Sequence, residues 1–411
     1  MRSWLRDTAG GLPATYWYLW TGILINRVGG FAVLFLSLYL TAQRGASPSL
    51  AGLVVGTYGI GGVVGTLAGG VLSDRWGRRA TLLWSHFICA GVLTGLAVSS
   101  SLPVIAGLCL VLGLVQSAPS PAFVAAIIDV VPADRRSRAF NLQFWAFNLG
   151  MAAASLVAGV LAEWSFTGLF LIDASSTLIA GLLIAWKVPE TLARPVARTR
   201  SAGLTTALTD RVFLVFVGLT LLQALIYTQA GTIVPIAMRN DGLTPSAYGV
   251  TAALGGALIV VGQLFVPRLL DHHRKDRALA VALFLNGAGF ALVAVADSLG
   301  AYLAAATVWT IGGMLAAPPN AEINSELAPP PLRGRYQAVF FLTFPAASFV
   351  APSLGGAGLQ HLGDVFWLVV GALGLLAAVL HLVAGPARER RAADLRDQTA
   401  TITPAPAGQA R

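Results

Sequence analysis

Charged residues are scarce in this chain. Asp, Glu, Lys and Arg make up 11% of its 411 residues, whereas soluble domains contain about 25%. So few ionic side chains cannot cover a globular surface, and the 56% hydrophobic content agrees with that shortage. The composition therefore excludes an ordinary soluble protein and predicts an integral membrane protein.

Cysteine and metal-binding patterns are rare as well. The two cysteines, Cys89 and Cys109, both fall within apolar runs and are expected to be small packing residues. The sequence has no His-Glu-x-x-His pair, P-loop, nucleophile elbow or cluster of metal ligands. We therefore expect no enzyme activity, no cofactor, no metal site and no ATP-driven cycle.

Long apolar runs dominate what is present. A helix needs roughly 20 apolar residues to cross a bilayer, and no run shows the alternation of a barrel strand. The sequence predicts an all-α polytopic bundle of twelve transmembrane helices. The runs cover residues 15–40, 50–72, 80–98, 102–127, 138–162, 167–187, 211–238, 246–267, 276–296, 300–323, 335–360 and 364–384.

The basic residues predict the orientation of the bundle. Of 27 Lys and Arg residues, Arg27 falls within a run and only Arg44 and Arg239 fall in odd-numbered loops, which leaves 24 for the termini and the even-numbered loops. Because basic loops stay on the cytoplasmic side, we expect both termini in the cytoplasm and a multi-pass protein of the plasma (cell) membrane. The same bias explains the net charge of +9 without a nucleic-acid partner.

The sequence also repeats itself. A shift of 197 positions superposes six residue pairs: Pro121 on Pro318, Asp129 on Glu326, Pro132 on Pro329, Arg136 on Arg333, Arg138 on Arg335 and Gly159 on Gly356. A shift across six helices returns the chain to the same side of the membrane, so it indicates parallel repeats. The expected organisation is two six-helix halves, 1–187 and 211–384, a cytoplasmic linker at 188–210 and a disordered cytoplasmic tail at 385–411.

A tight basic turn follows the second run and reads Gly70-Val71-Leu72-Ser73-Asp74-Arg75-Trp76-Gly77-Arg78-Arg79. With six plus six helices in parallel halves, it resembles the signature turn of the major facilitator superfamily. The match lies at Gly70, Asp74, Arg75, Gly77, Arg78 and Arg79. The resemblance covers residues 15–384 and implies the major facilitator fold and a transporter that works by alternating access.

The resemblance also implies a conformational latch at this turn. Asp74 would meet the start of the eleventh helix, and Arg78 would pair with Asp129, the acid that ends the fourth helix. An anion at a helix C-terminus is disfavoured by the macrodipole, so Asp74 needs such compensation. The alternative is that the arginines only hold the topology and that Gly77 only serves the turn.

A second resemblance, to drug:proton antiporters, is incomplete. Their fifth helix would read Gly-x-x-x-Gly-Pro-x-x-Gly-Gly, but here Ala154 and Ser155 follow Gly150 in place of glycine and proline. Antiport is therefore compatible with the sequence but not required by it.

Polar and aromatic residues near mid-depth are the candidates for a substrate cavity, which in this family is lined mainly by helices one, four, seven and ten. They are Asn26, Arg27, Gln116, Tyr227, Gln229 and Trp309. Such an apolar cavity with few amides suits a modest amphipathic compound better than a sugar. The alternatives are that the amides join helices to one another and that Arg27 pairs with a backbone carbonyl or an acid.

Two acids are candidates for proton coupling because burial raises the cost of a carboxylate. Asp173 lies in the sixth helix and Glu322 near the cytoplasmic end of the tenth, one turn from Glu326. The alternative for Asp173 is that it only fixes helix packing.

The functional hypothesis is a monomeric secondary active transporter whose partners are a small-molecule substrate, protons and membrane lipids. Proton-coupled efflux of small hydrophobic or amphipathic compounds comes first. The alternatives are transport of a specific metabolite, such as an amino acid, peptide or sugar, and a non-transporting membrane sensor or lipid-handling protein.

Overall fold

The structure, a computed structural model, describes residues 11–192, 205–263, 265–270, 273–329 and 332–402. Within these ranges it is all helical, and twelve helices have the length and apolar composition to cross a bilayer. We number them spans 1 to 12. They are Ala14–Ala42, Pro48–Trp76, Arg78–Val98, Leu102–Val130, Arg138–Trp164, Phe166–Lys187, Arg211–Thr232, Pro245–Gly262, Lys275–Val293, Leu299–Leu327, Arg333–Leu362 and Val365–Arg396. The predicted twelve-helix bundle is confirmed.

Several spans are interrupted or extended. Spans 1, 4 and 11 each consist of two helices: Ala14–Val28 and Ala32–Ala42, Leu102–Ser117 and Pro119–Val130, and Arg333–Phe341 and Thr343–Leu362. The helix of span 5 begins at Arg136, and that of span 12 continues to Ile402. Short helices cover Thr205–Thr209, Val234–Asn240 and Val266–Leu270, with a 3-10 turn at Ala133–Arg135.

The packing repeats every six spans. Span 2 packs on span 4 and span 3 on span 6, and the same pairs recur as span 8 on span 10 and span 9 on span 12. Span 1 contacts spans 5 and 6, as span 7 contacts spans 11 and 12. This recurrence is the signature of two parallel six-helix repeats.

The most extensive contacts between the halves are those of span 2 with span 11 and of span 5 with span 8. Glycines lie at both contacts. A Cβ on Gly59 would overlap the backbone of span 11 at Ser348 and Phe349, and one on Gly159 would lie 3.0 Å from Ser246 Cα. Glycine allows these backbones to approach, as in small-residue interfaces of membrane helices.

The tail prediction is wrong for most of its length. Residues 385–402 continue the helix of span 12, and only 403–411 lie outside the described residues. The charged side chains of this extension have partners on the bundle, since Arg391 pairs with Asp210 at 3.4 Å and Arg396 with Glu326 at 3.0 Å. The polar composition of this segment suggested disorder, because composition does not reveal ion pairs with residues elsewhere in the chain. Of the predicted linker, residues 193–204 are also outside the described ranges.

Candidate functional site

The basic turn between spans 2 and 3 is built around Gly77. Its φ of +99° is a conformation that side chains with a Cβ rarely adopt, and a Cβ there would overlap the Glu190 carboxylate. Glu190 follows span 6 and accepts hydrogen bonds from the backbone N–H groups of Arg78 (2.9 Å) and Arg79 (3.1 Å). Glu190 therefore caps the N-terminus of span 3, where the macrodipole favours an anion.

Arg78 lies at the centre of the turn and is buried. Its Nε lies 3.3 Å from Asp129 Oδ2 at the end of span 4, and its Nη1 lies 3.3 Å from Asp74 Oδ1. Nη1 also donates to the carbonyl of Ser73 at 3.0 Å. The structure thus brings Arg78 and Asp129 together, as the resemblance implied, and Asp129 in turn accepts from Thr191 at 3.3 Å.

The other arginines of the turn have simpler surroundings. Arg79 donates from Nη2 to the carbonyl of Ala185 in span 6 at 2.6 Å, which ties span 3 to span 6. Arg75 is exposed at the surface of the turn.

Asp74 does not meet span 11 in this conformation. Its side chain is 61% exposed, and its ion pair is with Arg78 in its own half. Gly70, one turn earlier, has nothing within 4 Å of the position of a Cβ. The end of the bundle that carries this turn, which we call the basic end, is therefore open between spans 2 and 11.

The opposite end, which we call the far end, is closed between the halves. Ser49 N–H donates to Gln360 at 3.1 Å and Ser246 N–H donates to Glu163 at 3.3 Å. The rings of Phe35 and Tyr248 pack edge to face with centroids 5.3 Å apart. These contacts join spans 2 and 11, spans 5 and 8, and spans 1 and 8.

Span 1 is broken at Gly29-Gly30-Phe31, and Asp173 of span 6 fills the break. Asp173 Oδ2 accepts hydrogen bonds from the backbone N–H groups of Phe31 (3.0 Å) and Ala32 (2.9 Å). The first N–H groups of a helix have no partner inside it, so this carboxylate caps the second segment of span 1. Thr177 donates to the other oxygen, Oδ1, at 3.5 Å.

Three of the six predicted cavity residues, Asn26, Arg27 and Gln116, lie near this break. Arg27 is exposed although protein atoms surround it on most sides, and its guanidinium carbon lies 4.0 Å from the centroid of the Phe147 ring of span 5. Asn26 donates to Thr177 at 2.9 Å, and Gln116 accepts from the Tyr58 hydroxyl at 3.1 Å. Tyr227, in the other half, is 38% exposed and packs against Gly313 of span 10.

The other two predicted cavity residues, Gln229 and Trp309, are packed between helices in this structure. Gln229 is buried and donates to the carbonyl of Ala351, so it joins spans 7 and 11. Trp309 is buried and stacks on Phe290 of span 9 with centroids 4.9 Å apart. Sequence position alone did not show on which face of the helix they lie.

Glu322, the second proton-coupling candidate, lies at the surface in this structure. Its side chain is 60% exposed and pairs with Lys275 at 3.0 Å. Lys275 also lies 2.8 Å from Glu326, so the ammonium group offsets the repulsion between the two carboxylates on which the prediction rested. Asp173, by contrast, is buried inside the bundle.

Sequence reasoning missed Glu190, Tyr58 and Phe147. Glu190 lies just beyond the sixth apolar run, and an acid beside a basic turn could have indicated it. Tyr58 and Phe147 belong to spans 2 and 5, which were not considered as lining helices, and only the fold places them beside Arg27.

Comparison with known proteins agrees with this architecture. The family model of the Major Facilitator Superfamily matches residues 19–319 and 216–408. The chain is 28% identical over 366 residues to the uncharacterized MFS-type transporter YhjO of Bacillus subtilis (strain 168), covering 88% of this chain and 90% of that protein. It is 24% identical over 377 residues to the multidrug resistance protein MdtH of Aeromonas salmonicida (strain A449), covering 89% and 94%.

The crystal structure of the nucleoside transporter NupG superposes with a TM-score of 0.75 at 14% identity, covering 92% of this chain and 99% of that one. At this identity the likeness concerns the fold alone. The family model extends across both six-helix halves and the basic turn. The chain therefore belongs to the Major Facilitator Superfamily and is a multi-pass membrane transporter of that family.

Proposed function

We propose that this transporter works by alternating access in the cell membrane and exports small hydrophobic or amphipathic compounds in exchange for protons. The single observation that carries the alternating mechanism is the unequal packing of span 2 on span 11. The two helices are sealed at the far end and separated at the basic end.

The face of span 2 that seals the far end continues to the basic end. Gly52, Gly56 and Gly59 contact span 11, and steps of three or four residues carry the same face through to Gly70 and Asp74. A Cβ on Gly56 would lie 2.9 Å from the Phe349 carbonyl oxygen, whereas one on Gly70 would meet nothing. We infer that span 11 closes on Gly70 in a second conformation.

The second conformation would also give Asp74 its partner. Span 11 begins at Arg333 at the basic end, and the N-terminus of a helix carries a partial positive charge that attracts a carboxylate. The Arg78–Asp129 pair would hold the turn in place while Asp74 exchanges its contacts. This is the latch that the family resemblance implied.

Sidedness comes from the basic residues. Because Lys and Arg concentrate on the cytoplasmic side of membrane proteins, we place the basic end and both termini in the cytoplasm. The conformation described here then faces inward and is closed to the outside.

For proton coupling we propose Asp173. Its ionised carboxylate holds the N-terminus of the second segment of span 1, and a charge-assisted hydrogen bond is about twice as strong as a neutral one. Protonation would weaken both bonds and loosen the break in span 1, beside Arg27. Discontinuous helices frequently form the coupling sites of secondary transporters.

Support for the substrate class comes from the interior and from the relatives. Around Arg27 lie two aromatic rings, Phe147 and Tyr58, and two amides, Asn26 and Gln116, and this mixture of apolar surface and a few polar groups suits an amphipathic compound. The relative MdtH carries the name multidrug resistance protein.

The test is flux through proteoliposomes containing the purified protein, with an imposed pH gradient and a panel of amphipathic compounds and metabolites. We expect amphipathic compounds to move across the membrane in the direction opposite to the protons. Asp74→Asn should abolish this movement. Asp297→Asn, an exposed acid at the far end, is the matched control and should leave flux unchanged. Movement of one metabolite alone would favour the specific-metabolite alternative, and no movement would favour the non-transporting one.

A further inference from the structure

We propose that the interior site around Arg27 selects organic anions, compounds with a carboxylate or similar oxyanion attached to an apolar body. This inference rests on the proposed function, because it assumes that substrate binds in the interior around Arg27. The anion site adds one requirement to the proposed substrate class, namely that the amphipathic compound carries a negative charge.

The first step concerns where Arg27 is held. Arg27 is the last residue but one of the first segment of span 1, which ends at Val28. It packs against span 5 so closely that a Cβ on Gly150 would lie 2.7 Å from Arg27 Cβ. The guanidinium lies 4.0 Å above the ring of Phe147. This cation–π contact uses none of the guanidinium hydrogen-bond donors, and among the described residues no side-chain hydrogen bond of Arg27 accompanies it, so its N–H groups remain available for a ligand.

The second step concerns the counter-ion. Among the described residues, no carboxylate lies within 4 Å of the Arg27 guanidinium. Asp173 is the neighbouring acid, and its oxygens already accept from Phe31, Ala32 and Thr177. A cation inside a membrane protein is expensive unless a partner or a water-filled cavity compensates it. Arg27 is exposed and, among the described residues, has no ion-pair partner, so its positive charge is left for a ligand to compensate.

The third step concerns the groups around the charge. Tyr58 and Gln116 form a hydrogen-bonded pair near Arg27 and can position the polar head of a ligand. Tyr227 of span 7 is 38% exposed and offers an aromatic surface from the other half. A ligand with an acidic head on Arg27 and an apolar body toward Tyr227 would contact both halves, as alternating access requires.

The chemistry of recognition is specific to the guanidinium. Its planar fork matches the two oxygens of a carboxylate, whereas an ammonium group offers only a point charge. The requirement therefore concerns which compounds bind, and it holds whichever way the coupled proton moves.

The test compares naphthoate with its neutral primary amide, by isothermal titration calorimetry on the full-length protein in nanodiscs of uncharged lipid. We expect the wild type to bind the acid about tenfold more tightly or better, a factor typical of one charge-assisted contact. Arg27→Gln should abolish the preference and Arg27→Lys should retain part of it. Arg239→Gln removes an exposed arginine at the far end and is the matched control, with the preference intact.

Equal affinity of the wild type for acid and amide would overturn the proposal, as would an acid preference that survives in Arg27→Gln. The wild-type comparison needs no variant and stays decisive if Arg27→Gln fails to fold. If the acid binds through Arg27 but no compound is carried in proteoliposomes, the transport proposal fails and the anion site stands. If neutral compounds are carried without any preference for acids, transport stands and the anion site is rejected.

Discussion

Gly52 of span 2 lies so close to Pro352 of span 11 that a methyl group on Gly52 would overlap the Pro352 carbonyl oxygen. The same closeness recurs on the other helix, where a Cβ on Gly356 would overlap the carbonyl of Pro48. Close-packed helices transmit force as units, so this contact fixes the far end while the basic end stands open. Closure of the basic end in the second conformation therefore depends on small residues of span 2 that have no close neighbour here, such as Gly70.

Gly70→Leu should fold normally and yet lose transport. The position has free space in the conformation described here, but a leucine would block the approach of span 11 in the other one. We expect a more than tenfold fall in proteoliposome flux, equivalent to about 1.4 kcal/mol or more against the closed basic end, at an unchanged melting temperature. Gly91→Leu is the matched control, since a Cβ there also meets nothing and flux should persist. Normal flux in Gly70→Leu would contradict closure of span 11 on this face.

Arg78→Ala should destabilise the protein. Removal of the guanidinium leaves Asp129 without its ion pair and the Ser73 carbonyl without its donor, and the loss of a hydrogen-bonded charge costs about 1–3 kcal/mol. Arg78→Lys should rescue only in part, because one ammonium group cannot reach the separate partners of Nε and Nη1. The measurement is thermal unfolding in detergent, with exposed Arg75→Ala as the control. A full rescue by lysine would show that charge alone matters at this position.

The sequence predicted the fold well because the bilayer imposes strong constraints. Spans must be long, apolar and helical, so their number could be read from the apolar runs, and the resemblance to the family's signature turn implied the Arg78–Asp129 pair. The burial of Trp309 and Gln229 between helices could not be predicted in this way. A helix that is apolar on all faces does not indicate which face is directed toward the cavity. Phe147 beneath Arg27 and Glu190 beneath Gly77 depend on contacts between distant parts of the chain, which one sequence does not display.

Glu190→Ala should destabilise span 3 through its N-terminus. The two carboxylate oxygens accept from Arg78 and Arg79 N–H groups, and the loss of a cap costs about 0.5–2 kcal/mol. Gly77→Ala should cost at least as much, because it adds overlap with Glu190 to a strained backbone. Asp297→Ala is a control at an exposed acid. The explanation fails if the melting temperature of Glu190→Ala matches that of the control.

Truncation before Arg388 should lower the melting temperature more than the loss of its surface ion pairs explains. Arg388 is buried, and its guanidinium contacts the ring and carbonyl of His381 at 3.0 and 2.7 Å. Glu389 and Asp276 both pair with Arg274, and the hydrogen bond to Asp276 raises the pKa of Arg274. Arg396→Gln removes only a surface pair to Glu326 and should change stability by at most about 1 kcal/mol. If truncation is as mild as Arg396→Gln, the helical extension is not an integral part of the bundle.

Substitution of Asp173 can separate its structural role from its proposed role in coupling. Asp173→Asn keeps a carbonyl oxygen that can accept from Phe31 and Ala32 N–H groups but cannot titrate, whereas Asp173→Ala removes the cap of span 1. We expect the asparagine variant to fold and to move substrate down its own gradient without responding to an imposed pH gradient. The alanine variant should melt at lower temperature, because two backbone N–H groups lose their acceptor inside the bundle at about 1–3 kcal/mol each. If pH-driven flux persists in a folded Asp173→Asn protein, Asp173 only caps the second segment of span 1, and another group carries the coupled proton.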